Sequence, residues 1–239
     1  MKTPRLTVGL YVNDEAATTL RLVRCLQEWG MNYRSIWRDE LADLEPGDVD
    51  VLLLHGGWYG IGRTPGQEQY EVADEDTHRA KADAVRRFVD AGGGIVGVCC
   101  GAFNVVWLDL IAADISRSTG SGMHTIEVVD ETHPIAQGVI QRAEGRIDRR
   151  WLATPVIRIS GPIFFPRDPA SMVFSYDWEK RLGAVLASDY GHGRAVAISP
   201  HPERTETEVS AAAATGISTS PLMPVSALLR DSLTWAAGR

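Results

Sequence analysis

Short apolar runs alternate along this chain with stretches in which apolar residues recur every three or four positions. The first run, Leu6-Thr7-Val8-Gly9-Leu10-Tyr11-Val12, predicts a buried strand over 6–12. Leu20, Val23 and Leu26 give 16–29 a helical period, and Gly30 supplies a stop signal. A second strand is predicted over 33–37. The third, over 48–54, is apolar at consecutive positions from Val51 to Leu54, as expected of a parallel strand covered on both faces. A helix is predicted over 77–91, with Ala80, Ala84, Val85, Phe88 and Val89 on one side, and Gly92-Gly93-Gly94 to end it. A strand over 95–98 and a helix over 102–111 come next.

Beyond this point the pattern weakens. Strands are predicted over 125–129, 156–159 and 172–176, with a turn at 130–134. Strands over 182–187 and 194–198 flank Asp189-Tyr190-Gly191-His192-Gly193, which reads as a hairpin connection. Residues 58–69 and 211–221 read as loops, and 226–237 as a closing helix. The alternation predicts an α/β protein, a mostly parallel sheet with helices on both faces, in a single domain over 1–239.

Two of the strand ends carry chemistry. Gly97-Val98-Cys99-Cys100-Gly101 follows one apolar run and has the G-x-nucleophile-x-G spacing of a strand-to-helix elbow. His201-Pro202-Glu203 follows another. Together they supply a nucleophile (Cys99), a base (His201) and an orienting acid (Glu203). A helix starting just after Cys99 is expected to favour its thiolate and to present the Cys100 amide to an oxyanion. Gly56-Gly57, at the end of the third strand, is placed to give a second amide. Trp58, Tyr59 and Arg63 follow directly and are candidate pocket residues, Arg63 for a substrate carboxylate.

Composition narrows the function further. A net charge of −7 gives nucleic-acid binding no electrostatic support. No stretch is apolar enough to span a bilayer, and no cleavage site follows the first strand, so a cytoplasmic protein is expected. Three cysteines, two of them adjacent, suit a reducing compartment rather than a disulfide framework. The histidines show no metal-ligand spacing, so neither metal nor cofactor is expected.

The segments from Gly92 to Ala102 and from Ser199 to Glu203 resemble the class I glutamine amidotransferase-like superfamily. With Gly161-Pro162-Ile163-Phe164 and Tyr190-Gly191-His192-Gly193-Arg194, they are most similar to the family typified by the N-terminal domain of some biotin-protein ligases. His133-Pro134-Ile135-Ala136-Gln137-Gly138 is similar to another branch, the trehalose-utilisation proteins. The resemblance implies a flavodoxin-like fold and a Cys99-His201-Glu203 triad. No ligase half accompanies it, so biotin transfer is not implied. The expected activity is cysteine-dependent hydrolysis or acyl transfer at an amide or ester bond of a small molecule. Two alternatives stand beside it: a glutaminase subunit feeding ammonia to a separate synthetase, and a non-catalytic binding or regulatory domain.

Overall fold

The structure is a computed structural model and describes residues 5–12, 16–56, 75–116, 121–142, 153–159, 161–177, 181–203 and 225–239. Five parallel strands form its centre: β1 (Thr7–Val12), β2 (Asn32–Trp37), β3 (Val51–Leu54), β4 (Gly94–Val98) and β11 (Gly193–Ile198). Their order is β2-β1-β3-β4-β11. This is the doubly wound 2-1-3-4-5 order, in which ligands bind beyond the carboxyl ends of the strands.

The consecutive apolar residues of β3 find cover on both sides. Val51 and Leu53 join Val8, Leu10, Val96 and Val98 in one core, against Leu22 and Leu26 of α1 (Ala16–Glu28) and Leu228, Leu229 and Leu233 of α5 (Val225–Ala236). Leu52 and Leu54 face the other way. They pack with Ile95 and Ala197 against Phe88 and Val89 of α2 (Glu75–Asp90) and Val105 of α3 (Cys100–Trp107). Both faces are therefore dry, which is why these strands carry no polar alternation. Glycine ends α1 as expected. Gly30 takes φ +67°, its N–H donates to the Gln27 carbonyl, and Met31 N–H donates to Leu26. That is a Schellman stop.

The remaining strands are antiparallel. β10 (Leu182–Tyr190) pairs with β11 through the expected hairpin, and the path continues through β9 (Met172–Asp177), β6 (Ser121–Val128) and β7 (Ala153–Ile159). Short strands β5 (Ala113–Ser116) and β8 (Ile163–Pro166) pair with each other, and β8 also pairs with β10. In a flat sheet β7 would lie four strand spacings from β11, roughly 20 Å away. Yet the His201 N–H donates to the Ile157 carbonyl of β7 at 2.8 Å. The extension must therefore curl back over the carboxyl ends of the parallel strands. The register shifts between β9 and β10 at Leu182 to Leu186 give it the means, because such irregularities bend and twist a strand.

Among the described residues, β5, β8 and α4 (Pro134–Arg142) lie outside the sequence expectation, as do short 3-10 turns at Glu40–Asp43 and Pro169–Ser171. Residues 130–133 do form a turn, in which the Asp130 carboxylate accepts from Thr132 N–H and Oγ1. The helix starts directly after it, with Pro134 as its first residue. The His133 ring, not one of the usual capping side chains, accepts from Ile135 N–H at 3.2 Å. The predicted loops over 58–69 and 211–221 lie outside the described residues. Among the described residues, no helix is long and apolar enough to cross a membrane.

Candidate active site

β3, β4 and β11 end at one level, since Leu54 pairs with Gly97 and Ile198 pairs with Val98. The chain leaves β4 through Cys99, whose N–H continues the ladder by donating to the Ile198 carbonyl at 2.8 Å. Cys99 then takes φ +52° and ψ −110°, and α3 starts at the next residue. A side chain in that region costs about 1–3 kcal/mol, and such strain gathers at functional positions. The two flanking glycines are required by close approach. A Cβ on Gly97 would strike the Gly101 carbonyl, and one on Gly101 would strike the Leu54 carbonyl. The elbow read from the spacing is present in the backbone.

His201 and Glu203 lie beyond the end of β11 and are buried at 7% and 2% exposure. The His201 Nδ1–H donates to Glu203 Oε1 at 2.6 Å. This leaves Nε2 as the ring's free base, and among the described residues Nε2 has no hydrogen-bond partner. Gly56 brings the parts into one place. A Cβ built there would sit 3.1 Å from His201 Cε1 and 3.6 Å from Cys99 Cβ. Imidazole, elbow and the end of β3 thus enclose one small space.

Cys99 is 5% exposed. Its thiol donates to the Ile159 carbonyl of β7 at 3.3 Å. The Cys100 side chain, burial and the Glu203 charge together push its pKa well above the ordinary thiol value, while the Cys100 backbone N–H, which faces the sulfur, pulls the other way. The expectation of a thiolate held by the helix end is therefore not what this arrangement produces. A raised pKa favours the neutral thiol at Cys99. Alkylation of Cys99 by iodoacetamide should accordingly climb with pH past neutrality and beyond the ordinary thiol range, because a raised pKa leaves less thiolate at any given pH. Mass-spectrometric rates that level off at or below neutral pH would show a preformed thiolate instead. Cys25 makes a poor competitor in that experiment. Burial and then Glu28 push its pKa up to about 11.

His55 directly follows β3 and contacts the backbone of the neighbouring Gly56. Its buried ring donates from Nδ1 to the Gly56 carbonyl at 2.6 Å, so Nε2 is the acceptor and takes the Thr19 hydroxyl at 3.3 Å. The Nδ1 bond fixes the Gly56 carbonyl at the end of β3. Sequence reasoning missed the β7 carbonyls and the hydroxyl pair of Tyr176 and Ser199, 2.8 Å apart beside His201. One signal for these was available. Gly161 packs on the Ser199 carbonyl so closely that a Cβ would overlap it, and the Gly161-Pro162 motif stands out in the sequence. Gly57, Trp58, Tyr59 and Arg63 lie outside the described residues.

No family model and no curated protein matches this chain. Solved structures do. A glutamine amidotransferase from Thermotoga maritima superposes with a TM-score of 0.61 at 18% identity, over 99% of this chain and 100% of that one. A glutamine amidotransferase from Methylobacillus flagellatus gives 0.56 at 11% identity, over 98% and 92%. A putative GMP synthase subunit from Thermoplasma acidophilum gives 0.55 at 16% identity, over 99% and 96%. At such identities the likeness establishes the fold: this chain is built as the glutamine amidotransferases are.

Proposed function

We infer that the protein is a cysteine-dependent amidohydrolase or acyl transferase, acting on an amide or ester of a small molecule. The observation that carries this reading is Cys99 held at positive φ on an elbow, with the buried His201–Glu203 pair at the same sheet edge. A chain that only binds has no use for that strain.

The chemistry proceeds in two halves. Rotation about the Cys99 Cα–Cβ bond turns Sγ–H from the Ile159 carbonyl to His201 Nε2. Sulfur then attacks the substrate carbonyl carbon as Nε2 takes the thiol proton. The positive imidazolium is steadied by Glu203 Oε1 on Nδ1–H. The negative carbonyl oxygen is held by the Cys100 N–H and by the Gly56-Gly57 segment. Collapse breaks the C–N bond, and the departing amine takes the proton from Nε2. Water, or an acceptor amine, loses a proton to Nε2, attacks the thioester and returns the thiol.

Within this class, the Gly161-Pro162-Ile163-Phe164 motif supports kinship with the biotin-protein ligase N-terminal-like family. A second reading has one observation behind it. The Thermoplasma acidophilum neighbour is described as part of a synthase. On that reading the protein is a glutaminase passing ammonia to a separate synthetase.

The deciding experiment supplies the purified chain with glutamine and a panel of small primary amides, and follows ammonia release together with an acyl mass increment on Cys99. An increment on Cys99 with release of amine supports the hydrolase. Release from glutamine only when a synthetase is added supports the second reading. An acyl group found on Cys25 or Cys100 instead would remove Cys99 from the mechanism.

A further inference from the structure

The antiparallel extension carries a charge that the triad does not use. Arg158 stands in β7 between Ile157 and Ile159, the two residues whose carbonyls accept from His201 N–H and the Cys99 thiol. Its side chain is 5% exposed. Among the described residues, its guanidinium makes one hydrogen bond, Nη1 donating to the Gly161 carbonyl at a long 3.4 Å. It also lies over the Tyr176 ring, 5.7 Å from the centroid. Nε has no partner among the described residues, and no carboxylate there pairs with the charge.

A guanidinium carries five N–H donors and a charge that does not titrate away. Burying it without a counter-ion is costly, and protein interiors rarely do so. The surroundings say where the missing anion belongs. Gly161, which receives Nη1, rests on the Ser199 carbonyl, and Ser199 precedes His201 by two residues. Tyr176, beneath the guanidinium, bonds Ser199 Oγ. His124 packs edge-on to Tyr176 at 5.7 Å, and burial and the Arg158 charge hold it toward its neutral form. Among the described residues, no carboxylate in this cluster pairs with the guanidinium. The Arg158 charge is felt by both Tyr176 and His124.

We propose that Arg158 is an anion-binding residue of the active site, holding a carboxylate at one end of the substrate while Cys99 attacks the carbonyl at the other. The role rests on Cys99 being the nucleophile. It makes the preferred substrate an acyl compound with a second, ionised carboxyl group a few bonds from the scissile bond. The sequence had offered Arg63 for this task from its place after the Gly-Gly turn. Arg158 has a stronger physical claim, since its burial leaves a charge to be met.

The test uses 5-chloro-4-oxopentanoate and its methyl ester, two chloroketones that differ in one negative charge. Each alkylates a thiol by forming an S–C bond and expelling chloride, while the thiol proton passes to His201. Labelling of Cys99 is followed by mass spectrometry on the full chain. In the wild-type protein the carboxylate probe should label Cys99 at least tenfold faster than the ester, as expected of a charge-assisted hydrogen bond inside a protein. Arg158→Gln should lower that ratio ten- to a hundredfold, and Arg158→Lys should restore part of it. Equal wild-type rates for the two probes would overturn the proposal without any variant. So would an unchanged ratio in a folded Arg158→Gln protein. These outcomes are distinct from failure of the catalytic reading. Charge-selective labelling of Cys99 with no amide turnover would leave the anion site standing and remove the hydrolase. Failure of both probes to label Cys99 would overturn both.

Discussion

Cys99→Ala should abolish amide turnover, with a loss on the order of 10⁶ in kcat, the size seen when a triad loses its nucleophile. The structure argues for so large an effect. Cys25 lies in α1 and Cys100 is the first residue of α3, so neither occupies the strained turn position that Cys99 holds. The substitution removes one buried sulfur and leaves both glycine approaches intact, so the variant should fold. Melting temperature and ammonia release measured on the same sample decide the matter. A folded Cys99→Ala protein with near-wild-type turnover would mean that the nucleophile lies elsewhere.

His201→Asn and Glu203→Gln come next in severity. His201 moves the proton in both halves of the reaction, so its loss should cost at least as much as that of the acid. For Glu203→Gln we expect a drop of about 10⁴ in kcat, by analogy with a serine-protease triad whose aspartate becomes asparagine. The physical reason is the 2.6 Å hydrogen bond from Nδ1 to Oε1. A neutral amide no longer balances the imidazolium, and its NH₂ can turn the ring to the tautomer whose Nε2 is already protonated. Asparagine is preferred to alanine at 201 because alanine would leave Glu203 buried and unpaired, which costs about 3–5 kcal/mol by itself. Steady-state kinetics on folded variants test this. Wild-type kcat in Glu203→Gln would assign that carboxylate to structure alone.

The central sheet was legible because its physics is local. Val51 to Leu54 are apolar in sequence because both faces are covered, and Gly30 and Gly92 stop helices through backbone geometry that other residues resist. The elbow was legible for the same reason, since Gly97 and Gly101 answer close backbone approaches. The curled extension was not. β5 and β8 are four residues each, too short to show a period. The curl arises from register shifts between β9 and β10, which leave no mark on composition. Arg158 was passed over for that reason. In the sequence it is one charge in an ordinary strand, and only the folded sheet buries it beside the site. The thiolate expectation meets an opposing balance of effects: the Cys100 side chain, burial and Glu203 outweigh the amide at the start of α3.

The backbone of Cys99 gives evolutionary drift a direction. At φ +52° any side chain is strained, and glycine alone is at ease there. Cysteine and glycine codons differ by a single base. Once selection for the chemistry lapses, that one change releases about 1–3 kcal/mol of backbone strain, set against the lost packing of a buried thiol and the added flexibility of the unfolded chain. The strain thus lowers the barrier to losing the nucleophile.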